Sequence, residues 1–341
     1  MSSAQQTKPL LAITMGDPAG IGPEIIVKAL LLPKVWRVCR PLIIGSRTIL
    51  EYTTKSLGIS LVLVPVDGHA TPSDPRLFRR GTLPLLDPFS RSVTPFRLGR
   101  GTARSGNMAV TCIQTAVRIA QAGCVQGIVT APINKHAIYL AGHTYPGHTE
   151  MLADLTKAEE SGMMIVGGPL KILFATTHLA LRDVPKALTS ATILRAIRLA
   201  HQGLTRLFHI QKPRIGVAGL NPHAGENGLF GDEEDRLIRP AIQLAKKQGI
   251  ACTGPHPADT LFGKAVRGSF DGIVALYHDQ GLIPLKTVAF GHCVNITVGL
   301  PIIRTSVDHG TAYDIAGQGK ADPTSLVEAI EMAARLASAS M

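Results

Sequence analysis

The sequence predicts an α/β protein with a mostly parallel or mixed sheet. Short apolar runs alternate with longer amphipathic segments along the chain, and this alternation is typical of strands connected by helices that pack on a sheet. The chain has 341 residues, of which 45% are hydrophobic. That length is sufficient for one large core or two medium-sized cores.

The first predicted unit consists of a strand, a glycine-rich turn and a helix. Residues 10–13 are an apolar run, and the Gly-Pro-Glu at 22–24 is typical of a helix start, because proline fits the first helical position and an acid suits the helix dipole. The glycines at 16, 20 and 22 are spaced as G-x-x-x-G-x-G, which matches neither the dinucleotide-binding nor the Walker loop. The pattern leaves open whether the turn holds an anion or is only structural.

The later elements continue the alternation. Strands are predicted at 41–45, 61–65, 127–132, 163–168, 171–177, 214–220 and 270–279. Helices are predicted at 47–58, 108–123, 190–208 with Ser190 as the cap, 232–249 and 322–338. Residues 66–100, rich in Pro, Gly and Arg, are predicted to be irregular, and 301–325, rich in Gly, Asp and hydroxyl residues, to lie outside the core.

Charge and cysteine content restrict the class of partner. The chain carries 35 Lys and Arg against 24 Asp and Glu, a net charge of +11, but the charges are scattered and no basic block is interleaved with aromatics. This favours a small anionic substrate over nucleic acid. The five cysteines have no C-x-x-C spacing, which indicates a reducing compartment. Neither a signal peptide nor an apolar run of about 18 residues is evident, so we expect a cytoplasmic protein with no membrane partner.

Three histidines follow predicted strands. His178, His223 and His278 each come directly after an apolar β run. Ligands of open α/β sheets bind beyond the carboxyl ends of the strands, so these side chains are expected to converge as a three-histidine metal site. The alternative is that some of them cap helices or lie in the core.

Another set of polar residues suits a phosphorylated ligand. His148 and Thr149 precede a helical run and either reach a ligand or cap that helix. Lys286, Asn295 and Arg304 offer two positive charges and an amide for phosphate or carboxylate oxygens. A solvated lysine and a salt-bridged arginine remain the alternative.

Seven motifs between residues 14 and 322 resemble the 4-hydroxythreonine-4-phosphate dehydrogenase family of the vitamin B6 pathway. They read TMGDPAGIGPEI, TAPINK, GHTEMLA, TTHLALRDV, NPHAGENGLFGDEE, YHDQGLIPLK and VNITVGLPIIRTSVDHGTAYDIAGQGKAD. The first also resembles the GDGIGPE loop of isocitrate and isopropylmalate dehydrogenases. DHGTAYDIAG resembles the adenine-side loop of the same enzymes.

The resemblance implies an isocitrate/isopropylmalate dehydrogenase-like fold, with two α/β domains and the active site in the cleft between them. Residues 1–145 with 300–341 are expected to form the first domain, and 146–299 the second, which carries the metal histidines. The segment around DHGTAYDIAG is expected to return beside the GDPAGIGPE turn. The resemblance also implies a homodimer whose active site lies at the subunit interface, with metal ligands from both chains.

The resemblance further implies a reaction. NAD or NADP would oxidise the C3 hydroxyl of 4-phosphooxy-L-threonine, and decarboxylation would follow, with one divalent metal (Zn, Mg or Co) per site. The metal ligands would be His178, His223 and His278. The substrate-binding positions would be His148, Thr149, Lys286, Asn295 and Arg304. Lys286 or Asp259 would carry the proton, and the cofactor-binding positions would be His309, Gly310 and Asp314.

Other activities compete with this interpretation. The family contains paralogues that oxidise 4-phospho-D-threonate or 4-phospho-D-erythronate, and TAPINK resembles those paralogues at least as well. A metal-dependent hydrolase would use the same histidines to activate water. A phosphate-ligand binding protein would use Lys286 and Arg304 without turnover.

Overall fold

The structure, a computed structural model, describes residues 8–66, 74–89 and 97–339. The chain forms two compact units. The first contains both ends of the chain, up to Ala158 and from Leu300 onward, and the second is the continuous stretch Glu159–Gly299. Residues 146–158, which the sequence assigned to the middle domain, therefore group with the first unit.

The described residues contain twelve strands and twelve α-helices. The strands are β1 Leu10–Thr14, β2 Arg40–Ile44, β3 Val62–Pro65, β4 Thr82–Leu86, β5 Gly127–Thr130, β6 Gly162–Gly167, β7 Leu170–Phe174, β8 Ile215–Ala218, β9 Cys252–His256, β10 Gly272–Ala275, β11 Val294–Val298 and β12 Arg304–Ser306. The helices are α1 Gly22–Leu31, α2 Pro33–Val38, α3 Arg47–Ser56, α4 Ala103–Gln121, α5 Lys135–Leu140, α6 His148–Thr156, α7 Val184–Ala187, α8 Ser190–Arg206, α9 Arg239–Lys247, α10 Ala258–Val266, α11 His278–Ala289 and α12 Thr324–Ala339.

The first unit is built on six parallel strands in the order β3-β4-β2-β1-β5-β12. All five residues of β1 are buried, as expected for a strand with helices on both faces. Thr14, Thr130 and Ser306 end three neighbouring strands in register. These strand ends therefore lie at one edge of the sheet.

The second unit is mixed, with the order β11-β6-β7-β10-β8-β9. Strand β6 is antiparallel to both β11 and β7, whereas β7, β10, β8 and β9 are parallel. The predicted α/β class with a mixed sheet is confirmed. No helix in the described ranges has both the length and the apolar character of a membrane span.

Two predicted irregular stretches contain strands. Within 66–100, β4 is buried along its whole length. The Pro, Gly and Arg content of this stretch predicted irregular structure, but Pro84 lies inside β4. The β2 pairing of β4 begins only at Leu85, so the missing N–H of the proline leaves that pairing intact. Residues 67–73 and 90–96 of this stretch lie outside the described residues.

The other misjudged stretch begins at β12, where Arg304–Ser306 are buried rather than outside the core. Their polar groups find internal partners. Arg304 Nη2 donates to Thr130 Oγ1 at 2.7 Å, and Thr305 Oγ1 donates to the Ala329 carbonyl at 2.8 Å. Polarity alone therefore misjudged the burial of this strand.

Two helices begin earlier than the apolar pattern indicated. Thr189, not Ser190, caps α8, because its hydroxyl accepts from Thr192 N at 3.1 Å. Helix α4 begins at Ala103, ahead of the predicted residue 108, with Thr102 and Ser105 forming a capping box. A reciprocal cap satisfies backbone donors that hydrophobic periodicity does not report.

The glycine turn, residues 15–22, is buried throughout. Its backbone donors have internal acceptors. Asp17 N donates to the Pro132 carbonyl at 2.9 Å, and Ile21 N donates to the Thr311 carbonyl at 3.0 Å. Gly16 has φ 72°, and a Cβ there would lie 2.4 Å from the Pro132 oxygen. The turn is therefore a packing junction and not an exposed anion cradle, which resolves the alternative left open by its spacing.

Candidate functional site

Two of the three predicted metal histidines lie side by side in the second unit. His178 follows β7 and His278 begins α11 after β10, and β7 and β10 pair in parallel through Phe174 and Ala275. The ring centroids of the two histidines are 5.7 Å apart. Imidazoles that bind one zinc ion at a metal–nitrogen distance of about 2.1 Å have ring centres roughly 5 Å apart. This separation is close to that of a shared ion.

A neighbouring acid orients His278. The Nδ1 of His278 lies 2.6 Å from Asp279 Oδ1. When Nδ1–H donates to this carboxylate, Nε2 keeps its lone pair, which is the arrangement in metal-binding histidines. The donor chemistry of the pair therefore fits a divalent metal.

His223 lies in a backbone segment of unusual conformation, Pro222–Gly228, named here the left-handed segment. His223, Ala224, Glu226 and Asn227 have φ values of 53°, 54°, 41° and 56°. Left-handed backbone costs an L-residue about 1–2 kcal/mol, and such strain is concentrated at functional sites. The His223 side chain is exposed, 6.2 Å from the Phe230 ring between centroids.

The predicted set of three histidines is not assembled within one chain. Among the residues that the structure describes, no group of three or more His, Cys, Asp or Glu side chains is close enough to hold a metal ion. The structure thus brings His178 and His278 together and leaves His223 apart from a complete ligand set.

A buried acid that follows the left-handed segment holds the backbone that precedes it. Glu234, only 2% exposed, accepts from Leu220 N and Asn221 N, both at 2.8 Å, and from Asn221 Nδ2 at 2.9 Å. Gln280 accepts from Leu276 N at 2.7 Å and donates to the Gly219 carbonyl at 2.6 Å. These contacts fix the loop that carries His223 relative to the start of α11.

Three other predicted site residues lie in the second unit. Lys286 is half-buried on α11, and Asn295 is half-buried on β11, where its Oδ1 is shielded from solvent with no hydrogen-bond partner among the described residues. Asp259 is exposed in the first turn of α10. The orphaned Asn295 oxygen is the one of these three that indicates a ligand group.

The first unit contains a buried cation. Arg304 is 1% exposed, and its guanidinium donates to Thr130. Burial lowers the pKa of Arg304 to about 9, and the charge of Glu150 partly opposes this shift. The side chain stays protonated at neutral pH, so its positive charge is held at an energetic cost that an anion would offset.

His148 lies within the electrostatic reach of Arg304. Burial of its ring, followed by the Arg304 charge, lowers the pKa of His148 well below its ordinary value. Its Nε2 is buried and has no hydrogen-bond partner among the described groups. The imidazole is therefore neutral at pH 7, and it begins α6 with Thr149 half-buried beside it.

The predicted cofactor positions lie in residues 308–319, named here the terminal segment. His309, Gly310 and Asp314 are exposed. The residues between them face inward, since Thr311 is buried and Tyr313 donates to Asp17 at 2.7 Å. The terminal segment thus packs beside the glycine turn, as expected.

Sequence reasoning did not single out four residues that shape these sites: Asp17, Thr130, Glu234 and Gln280. Thr130 ends β5 and lies inside the strand predicted at 127–132, and that position was the one available signal for it. The others are buried polar residues whose partners are distant in the chain, such as Glu234 with Leu220. Contacts of this kind leave no periodic pattern.

The chain is similar in sequence to two dehydrogenases. The chain is 49% identical over 327 residues to a 4-hydroxythreonine-4-phosphate dehydrogenase of Desulfosudis oleivorans, covering 96% of this chain and 95% of the relative. It is 47% identical over 331 residues to a D-threonate 4-phosphate dehydrogenase of Cupriavidus necator, covering 96% and 97%.

The fold is also similar to a solved structure. The crystal structure of 4-hydroxythreonine-4-phosphate dehydrogenase from Klebsiella pneumoniae superposes with a TM-score of 0.88 at 42% identity, covering 97% of this chain and 100% of that chain. Residues 37–333 match the family described as pyridoxal phosphate biosynthetic protein PdxA. The chain therefore belongs to the PdxA family, whose members named here are dehydrogenases.

Proposed function

We propose that the protein is an NAD- or NADP-linked dehydrogenase that oxidises the C3 hydroxyl of 4-phosphooxy-L-threonine and then decarboxylates the product. The observation that carries this proposal is the buried Arg304 beside neutral His148 in a PdxA-family chain. A desolvated guanidinium is stabilised by anions, and phosphate or carboxylate oxygens match its planar set of donors.

The anionic ends of the substrate set the roles of the binding residues. Arg304, fixed by Thr130, would bind one anionic end, and His148 with Thr149 would bind beside it through neutral donors. Lys286 would add a second charge. The Asn295 amide, whose oxygen has no hydrogen-bond partner among the described residues, would bind a polar substituent. With Arg304 at one anionic end of the substrate and Lys286 at the other, the two cations would fix the orientation of the substrate as well as its affinity.

The histidines of the second unit are the metal ligands in this proposal. His178, His223 and His278 would hold one divalent ion, with Asp279 fixing the His278 tautomer. A bound divalent ion polarises the substrate hydroxyl, and a bound nicotinamide accepts hydride. Lys286 or Asp259 would take up and return the protons, and the substrate-binding residues would hold C3 in position. The dinucleotide would lie along the exposed His309, Gly310 and Asp314.

A homodimer would complete this site. Three leucines that follow the metal histidines in the sequence are exposed: Leu179 at 46% and Leu181 at 69% after His178, and Leu229 at 73% after His223. Exposed apolar side chains favour burial against a partner. A second copy covering them would bring its own histidines to the site, where the described residues of one chain hold no group of three or more metal-ligating side chains.

A second candidate substrate is 4-phospho-D-threonate, favoured by the Cupriavidus necator relative at 47% identity. 4-Phospho-D-erythronate belongs to the same class of sugar acid. These compounds carry a hydroxyl at C2 where 4-phosphooxy-L-threonine carries an amine. Recognition of the C2 substituent would therefore separate the candidates.

The decisive experiment is an NADH or NADPH absorbance assay with each of the three phosphorylated acids, before and after removal of metal by a chelator. We expect turnover of one acid at least tenfold faster than of the others, loss on chelation, recovery with Zn, Mg or Co, and release of carbon dioxide. Hydrolysis of phosphate without reduction of the cofactor would support a hydrolase, and tight binding without turnover would support a binding protein. Either result would refute the proposed function.

A further inference from the structure

Asp17 is a buried acid that the proposed reaction does not use. Its side chain is 0% exposed, and three donors reach it: Ala19 N at 2.8 Å, the Tyr313 hydroxyl at 2.7 Å and the Ser105 hydroxyl at 3.3 Å. Burial raises the pKa of Asp17, and these hydrogen bonds oppose the shift. Asp17 therefore joins the glycine turn, the start of α4 and the terminal segment at one point.

Tyr313 fits tightly against the backbone that precedes α4. A Cβ at Gly101 would lie 2.5 Å from the Tyr313 hydroxyl. On the other side of the segment, the Thr311 carbonyl accepts from Ile21 N at 3.0 Å. Two inward-facing residues of the terminal segment are thus anchored to the glycine turn, one through its side chain and one through its backbone.

Anchored and exposed residues alternate along the terminal segment. His309, Gly310 and Asp314 are exposed, whereas Thr311 is buried and Tyr313 is half-buried. We propose that Asp17 and Tyr313 are a positioning pair that holds the terminal segment in the conformation that binds the dinucleotide. The inference rests on the proposed function, in which that segment is the cofactor side of the enzyme.

The hydrogen bond can be separated from the packing of the ring. Tyr313→Phe keeps the ring beside Gly101 but removes the donor to a buried carboxylate, and hydrogen bonds to charged groups are among the stronger ones. We expect the variant to bind NAD about tenfold more weakly and to bind 4-phosphooxy-L-threonine with little change. The matched control is Tyr52→Phe, which removes a hydroxyl from a residue of α3 that is 56% exposed.

A double-mutant cycle tests the pair directly. The losses of NAD affinity caused by Asp17→Asn and by Tyr313→Phe should be strongly non-additive. The double variant should bind NAD no more weakly than whichever single variant has the lower affinity. Hydrogen exchange of residues 308–319 in the protein without ligands provides a second measurement. Exchange should become faster there in both variants and stay unchanged in Tyr52→Phe.

The outcomes are distinguishable from failure of the proposed function. If the unaltered protein does not bind NAD or NADP, the cofactor assignment fails, and the exchange of residues 308–319 alone then decides whether the pair anchors the segment. If NAD and substrate weaken equally in Tyr313→Phe, if the two substitutions are additive, or if exchange is unaltered, the positioning role is overturned. Should Asp17→Asn not fold, the binding and exchange of Tyr313→Phe decide the question.

Discussion

The glycine turn of the first unit and the left-handed segment of the second both follow buried parallel strands, yet their backbones are satisfied differently. The turn is buried and directs its N–H groups to internal carbonyls such as Pro132. The left-handed segment is largely exposed, adopts φ values that L-residues avoid, and is restrained through Glu234 at its base. The glycine turn finds acceptors for its N–H groups within the fold. The left-handed segment instead holds His223 in a strained backbone conformation, and strain of this kind is concentrated at functional sites.

The largest loss of activity is expected from a substitution in the exposed left-handed segment. His223→Ala should reduce turnover roughly a hundredfold or more, because loss of a metal ligand exceeds the 10–100-fold cost of losing an outer-shell partner. The bound metal per chain should fall with it, measured after dialysis, while the unfolding midpoint stays close to that of the unaltered protein. His136→Ala, at an exposed position on α5, is the control. Near-normal turnover and metal content in His223→Ala would remove this histidine from the site.

The next largest effect is expected at the buried cation. Arg304→Ala should weaken the phosphorylated substrate about ten- to a hundredfold, the value of one charge-assisted hydrogen bond or more, and weaken NAD much less. Two binding titrations measure this difference. Equal weakening of both ligands would make Arg304 structural or cofactor-side.

Because removing the buried Arg304 side chain also disturbs packing, two conservative substitutions of its partner Thr130 accompany that test. Thr130→Val removes only the hydroxyl that accepts from Arg304, and Thr130→Ser restores it. Thr130→Val should weaken substrate binding several-fold, about the value of one hydrogen bond. Thr130→Ser should keep most of the affinity of the unaltered protein. Identical affinity in Val and Ser would show that the hydroxyl does not orient the guanidinium.

The clamp below the left-handed segment should affect stability. Glu234→Gln replaces one carboxylate oxygen with an N–H₂ group that opposes the donors Leu220 N and Asn221 N or the Asn221 amide. The free energy of unfolding should fall by about 1–3 kcal/mol, the cost of an unsatisfied buried group, as measured by urea unfolding. Glu226→Gln, an exposed acid in the left-handed segment, is the control. A decrease in the control equal to that in Glu234→Gln would mean that the clamp has no special role.

The smallest effect concerns pH. In the folded protein, burial and the charge of Arg304 lower the pKa of His148. As the pH falls, this histidine is therefore protonated in the unfolded chain before it is protonated in the folded protein. Its neutral form is present without cost above the unfolded value of about 6.5, and stability is lost as the pH falls below that value toward the folded pKa. Urea unfolding at pH 7.5 and 5.5 should show a smaller loss in His148→Gln than in the unaltered protein. Equal losses would contradict the lowered pKa.

The sequence predicted the elements that have strong local signals. The strand at 10–13, the helix start at 22 and the helix at 190–208 follow from apolar period and capping residues, and the structure places them within a few residues. It did not predict β4 or the burial of Arg304, because a proline and a polar triplet are disfavoured locally and are accommodated only by distant partners.

The candidate sites divide in the same way. The expectation that His178 and His278 meet followed from their place after strands that proved to be neighbours in the sheet. His223 begins a run of five consecutive positive φ angles, and only one of those residues is a glycine. No pattern of residue types specifies such a backbone, because the Glu234 clamp that holds it acts across the fold.

The pairing of β12 with β5 has a consequence for how the chain acquires its structure. Arg304 is aligned with Ile128, and its side-chain bond to Thr130 joins residues 174 positions apart. During synthesis, the first sheet cannot close until residues 304–306 have left the ribosome, whereas the continuous stretch 159–299 emerges earlier. Until then β5 presents an unpaired edge, which is a site for aggregation. Truncation of the chain before β12 would make that transient exposure permanent.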